Sequence, residues 1–164
     1  MGEYSIVIKK SRVTTHAAVA IRKALDVRSL TGTLPGYHLE PDSSEGMDVE
    51  LLNRCMELRD AKVRTLMNKY LSEHPTTADD ELMENTPNFI YALSMPESWP
   101  GSLLKPLATF IHNYLVCGIL YDYLKDKMAE MAEAYLPDVA AMEEQLEETL
   151  SERTGMFKTP MQPF

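Results

Sequence analysis

Apolar side chains run through residues 103–124 of this chain with few polar breaks: LLKPLATFIHNYLVCGILYDYL. Leu104, Leu107, Phe110, Ile111, Tyr114, Leu115, Val116, Cys117, Ile119, Leu120 and Tyr123 cannot all face one partner. A helix that is apolar all round is a buried one, so this stretch is expected to be the central helix of the fold. From about 127 to 153 the pattern narrows to a stripe of Met128, Met131, Tyr135, Met142, Leu146 and Leu150, with carboxylates opposite. That spacing predicts a long, half-buried acidic helix, kinked at Pro137. No Gly or Pro lies between Tyr121 and Ala134. A turn near Asp126 is expected, with one long bent helix as the alternative.

Two shorter stretches alternate instead. Tyr4–Lys9 and Phe89–Met95 carry the period of two that marks half-buried strands, and they are natural partners. Ser11-Arg12-Val13-Thr14-Thr15 opens a helix with hydroxyls able to cap it. Its apolar face is Val13, Ala17, Ala20, Ile21, Ala24 and Leu25, and its other face is basic. A second helix is expected from Asp48, as N-cap, to about Ser72. Leu52, Cys55, Met56, Val63, Leu66, Met67 and Tyr70 are its inward set, with Arg54, Arg59, Lys62, Arg64 and Lys69 outward. Pro106 fits the first turn of the central helix, where a missing N–H costs little. Residues 31–48 (TGTLPGYHLEPDSSEGMD) form the longest loop signal, and loops of that length inside a compact domain are commonly functional or mobile. The predicted architecture is thus mainly α. A helical bundle surrounds the 103–124 helix and the 127–153 helix, with a minor β-pair, an extended loop and a C-terminal arm. Residues 1–153 make one domain and 154–164 the arm.

Composition supports a packed domain. The chain has 164 residues, 45% of them hydrophobic, enough for a real core. The net charge of −9 disfavours non-specific nucleic-acid binding as the main task, because phosphates are repelled. Cys55 and Cys117 sit in helical patterns and are expected to be free, buried thiols. The start MGEYSIVIKK lacks the apolar run of a signal peptide. Ile6 stands where a myristoylation motif requires Ser or Thr. Lys105, Pro106, His112 and Asn113 interrupt the apolar run below the length of about 20 residues that a bilayer requires, so a core helix is expected and no membrane.

Candidate chemistry is sparse. His38, Glu40, Asp42 and Asp48 lie close in the loop, but their spacing fits no EF-hand, and no metal or cofactor is expected. His112 reads as a core histidine, and Cys117 five positions on is not stacked with it on one helix face. His16 and His74 stand alone. HExxH, CxxC, a Gly-rich phosphate loop and GxSxG are all absent from the sequence, and these are the motifs that carry chemistry. The chain is therefore not expected to be an enzyme. Charge is more telling. Residues 1–40 carry six Lys/Arg against three acids, and residues 122–152 carry ten acids against Lys125 and Lys127. Complementary faces of this kind can meet head to tail between identical subunits and close into a ring.

The order of elements carries a resemblance. A short strand and helix come first, then a second β-type segment ending in MPESWPGSL. FIHNYLVCGILYDYL, AEAYLPDVAAMEEQLEETLSERT and a closing RTGMFKTPMQPF follow. This looks like small virion proteins of tailed phages and prophages of Bacteroidales. More remotely it is similar to helical head–tail connector (adaptor) proteins. The resemblance implies a ring of twelve copies beneath the portal, touching neighbouring neck and tail proteins and surrounding DNA that passes without sequence-specific binding. It places the protein in the virion, made in the host cytoplasm. It carries over no catalytic residue. In that setting an acidic helix facing the channel would let DNA slide. Met156, Phe157, Met161 and Phe164 of the arm, and Tyr37 and His38 of the loop, are the expected assembly contacts. Prolines hold the arm extended, and its aromatic side chains suit anchoring. The competing expectation is a cytosolic helical module that binds another protein through a Met-rich surface.

Overall fold

Gly2–Lys9 (β1) and Asn88–Met95 (β2) pair antiparallel without a break, Gly2 opposite Met95 and Lys9 opposite Asn88. The structure, a computed structural model, describes residues 2–30, 48–73, 76 and 86–154. The alternation read from the sequence is obeyed. Phe89, Tyr91, Leu93 and Met95 are fully buried on one face of β2, and Ile6 and Ile8 join them from β1. Val7 and Ile90, directly opposite one another, point to solvent and are about half exposed.

The helices are α1 (Lys10–Leu30), α2 (Val49–Leu66), α3 (Leu104–Lys127), the single-turn α4 (Ala129–Ala132) and α5 (Leu136–Ser151). α3 is central, as expected: α1, α2, α4 and α5 all pack on it, and so does β1. Leu107, Ile111, Tyr114, Leu115 and Ile119 are fully buried. Its burial is not complete, however, because Leu104, Phe110, Val116, Cys117 and Tyr121 are only partly covered. With the 3-10 turn before it, α3 is long and apolar enough to cross a bilayer. In this fold it is a core helix that carries a buried ion pair. The chain is therefore mainly helical with a minor β-pair.

Three boundaries differ from the sequence reading. α2 ends at Leu66 rather than near Ser72. The chain turns over Met67–Tyr70, and Leu71 forms a bridge to Leu93. Ser72 N–H donates to Ala92 O at 3.0 Å, and Ser94 N–H to Tyr70 O at 2.7 Å. Backbone pairing with β2 thus replaces a last helical turn. Met128, at φ −151°, ψ 81°, breaks the chain between α3 and α4, so the turn expected near Asp126 is present two residues on, and the expected 127–153 helix is itself interrupted by a 3-10 turn at Glu133–Tyr135. Pro137 comes just after the 3-10 turn Glu133–Tyr135 that interrupts the expected helix. It lies in the first turn of α5, where a missing N–H is harmless.

Trp99 ties the ends together. It is 2% exposed, meets Tyr4 edge-on at 5.3 Å and donates from Nε1 to Thr149 O at 3.0 Å. Beyond α5, Thr154 Oγ1 donates to Ser98 O at 2.9 Å, and Arg153 Nη2 donates to Tyr70 Oη at 3.2 Å. The end of α5 is thereby held against the end of β2.

Candidate assembly surface

A polar network crosses the core where α2 meets α3 and β2. Arg59 lies on the inward stripe of α2 and is 3% exposed. Its Nε donates to Asp122 Oδ2 at 2.6 Å and its Nη2 to Oδ1 at 2.8 Å, a bidentate geometry that suits a guanidinium. Nη1 reaches Tyr114 Oη at 3.3 Å. Burial disfavours the Arg59 charge, but the hydrogen bond and charge of Asp122 outweigh it and hold the guanidinium above its ordinary pKa. Gly118 makes this crossing possible, because a Cβ there would overlap Arg59 Cδ and lie 2.8 Å from Cγ. One residue on, Asp60 is 2% exposed. It accepts from Tyr91 Oη at 2.6 Å and Arg64 Nε at 3.0 Å. Burial, then the Asp60 charge, pushes the Tyr91 hydroxyl far up. Arg59, placed outward from the sequence, is therefore inward. The Arg59–Asp122 pair joins α2 to α3, and the Tyr91–Asp60 contact joins β2 to α2.

Other groups also depart from expectation. His16 is not alone: its Nδ1 lies 2.7 Å from His112 Nε2, one ring edge-on to the other. His112 is half-buried rather than core. Burial, then His16 and Arg12, hold its pKa down. Arg22 belongs to the supposed basic face but is 5% exposed, and its guanidinium finds no hydrogen-bond partner among the described residues. Cys55 and Cys117 are free thiols. Burial, then the charges of Asp122 and Asp126, pushes Cys55 up to about 11, so its thiol stays protonated at neutral pH. A cleft of about 700 Å³ opens between the start of α1, α2 and β2. There Lys10 Nζ lies 2.9 Å from Thr86 Oγ1 and over the Phe89 ring. Among the described residues no three His, Cys, Asp or Glu side chains are grouped to hold a metal.

The exposed charges of α1 and α5 differ in sign, while α2 and α3 also expose Arg54, Lys62, Lys105, Lys125 and Lys127. Arg12 and Lys23 are exposed on α1, and Asp138, Glu144, Glu147 and Glu148 on α5. Both helices pack on α3, and neither packs substantially on the other. Asp48, expected as an N-cap, accepts from Leu51 N–H at 3.0 Å through Oδ1. The expected assembly contacts Tyr37, His38, Met156, Phe157, Met161 and Phe164, and the loop residues Glu40 and Asp42, lie outside the described residues. The chain leaves the described part at Thr154, beside Ser98. Comparison with protein-family models, with curated proteins and with solved structures finds no match to this chain.

Arg59 was within reach of sequence reasoning. It continues the series Leu52, Cys55, Met56, Val63 at helical spacing, and Asp122 follows Leu115, Gly118 and Ile119 in the same way. A charge on a buried stripe asks for a partner on a facing stripe. The His16–His112 contact had no local signal, since 96 residues separate the two.

Proposed function

We propose that this chain is a structural protein of a phage virion, a head–tail connector whose copies form a ring under the portal around the DNA channel. The observation that carries the reading is the segregation of charge about α3. Exposed Arg12 and Lys23 mark one flank and the exposed carboxylates of α5 another. Such faces cannot satisfy one another within one chain while α3 stands between them. They can do so between neighbours, each α1 meeting the next α5, and a heterologous contact of that kind closes when its rotation allows. Carboxylates left uncovered would face the channel and repel DNA phosphates. The buried Arg59–Asp122 and Tyr91–Asp60 contacts suit a rigid building block, because they hold α2, α3 and β2 in one register. The arm, with Met156, Phe157, Met161 and Phe164 as anchors, docks on the portal or the next subunit.

The test is co-expression with the portal protein encoded in the same genome, followed by electron microscopy of the purified complex. A twelve-fold ring of this chain on the portal is expected. A genome without a portal gene, or a portal that leaves the chain unbound and monomeric, would overturn the reading.

A further inference from the structure

The outer edge of β1 has no partner strand among the described residues: the sheet has two strands, and only β2 pairs with β1. β2 is flanked on both sides, by β1 and by the Leu71 bridge. Along β1, the outward backbone groups of every second residue have no strand partner among the described residues. Edge strands are normally blunted by proline, a bulge or central charge. β1 has none of these. Its pairing with β2 is one-to-one throughout, it contains no proline, and its middle, Ser5-Ile6-Val7, is uncharged.

We infer that β1 pairs antiparallel with β1 of a second copy, joining two sheets into one of four strands about a two-fold axis. The strand is self-complementary. Side chains alternate between faces, so only registers that match parity keep inward residues beside inward residues. The register centred on Ile6 does this and pairs Glu3 through Lys9, leaving only Gly2 of the strand outside it. It sets Ser5 opposite the partner's Val7, Tyr4 opposite the partner's Ile8, and Glu3 opposite the partner's Lys9. Glu3 and Lys9 are both exposed. The register supplies each with a counter-charge, twice over across the two-fold axis, and cross-strand opposite charges are favourable where like charges are not. It also gives half-exposed Val7 and Ile90 a longer sheet face, and half-buried Tyr4 an apolar neighbour. The inference does not rest on the virion reading.

Analytical ultracentrifugation and light scattering of the full chain read this directly. The wild type is expected to show a concentration-dependent species at twice the 18.6 kDa chain mass. Glu3→Lys sets Lys opposite Lys and should weaken pairing at least tenfold. Lys9→Glu sets Glu opposite Glu and should do the same. The two variants mixed together should pair again, since one chain then carries lysine at both positions and the other carries glutamate at both. The double variant, in which the two charges have changed places, should self-pair like the wild type. Both substitutions are at exposed positions, and unchanged circular dichroism shows that each variant is folded. A wild type that stays monomeric at high concentration overturns the inference. So does a dimer that the single variants do not weaken, or that mixing does not restore.

Discussion

Replacing Gly118 with Ala reverses the usual sign of a glycine substitution in a helix. Glycine inside a helix is ordinarily less stable than alanine by about 1 kcal/mol, so the change normally stabilises. Here the new Cβ would occupy the path of the Arg59 side chain, overlapping Cδ and lying 2.8 Å from Cγ. Those atoms are the stem of the side chain, close to the helix, and cannot swing aside while the guanidinium keeps its place. Arg59 must withdraw from Asp122, breaking two hydrogen bonds of 2.6 and 2.8 Å between side chains that are 4% and 13% exposed. Parting a buried pair costs about 3–5 kcal/mol, against about 1 kcal/mol gained from helix propensity. Net destabilisation of about 2–4 kcal/mol follows from these two magnitudes. Urea unfolding, followed by circular dichroism, measures it. The control is the same substitution with Arg59→Ala and Asp122→Ala already in place. There the obstacle is gone, and Gly118→Ala should stabilise by about 1 kcal/mol. If Gly118→Ala stabilises the wild-type chain too, Arg59 does not cross α3 at residue 118 and the buried network is misplaced.

Other consequences follow from the same packing. Leu115 is fully buried, so Leu115→Ala should lower stability by about 2–5 kcal/mol, the usual cost of a core cavity, and a change under about half a kcal/mol would remove α3 from the centre. His112 is held below its ordinary value of 6.5, so the unfolded chain takes up the proton first. Its contribution to stability is complete above pH 6.5 and is lost as pH falls through the lower folded-state pKa. Urea midpoints should drop across that window, and drop less in His112→Gln. Cys55, pushed up to about 11, should resist iodoacetamide at about pH 8 in the folded chain and react at the rate of a free thiol in urea, as thiolate chemistry requires. A chain ending at Gly155 should unfold at nearly the wild-type urea concentration yet fail to join its portal, and normal assembly would make the arm dispensable.

The sequence carried the architecture where a pattern had one physical meaning. Alternation over Tyr4–Lys9 and Phe89–Met95 could bury only one face, and it set the strands and their mutual pairing. The apolar run around Leu115 could be satisfied only by neighbours on several sides, and α3 has them. What escaped were contacts decided by partners distant in sequence. The His16–His112 contact is one, since 96 residues separate the pair, whereas the spacing of Arg59 after Leu52, Cys55 and Met56 already put it on the inward stripe. Pro137 illustrates the ambiguity of a local rule, since the same ring that kinks a helix interior is accommodated in a first turn. The expected assembly contacts of the loop and the arm all lie outside the described part, so the legible share of the candidate surface is the charge division between α1 and α5.

That division supports the most direct test of the connector reading. Glu144, Glu147 and Glu148 of α5 are changed to Lys, and ring formation on the portal is scored by native mass spectrometry. The triple variant should remain folded and fail to close a ring. Adding Arg12→Glu and Lys23→Glu, which reverses the opposing flank, should restore a ring of twelve. Rings that form equally well with the triple variant would contradict the proposal that neighbours meet through α1 and α5.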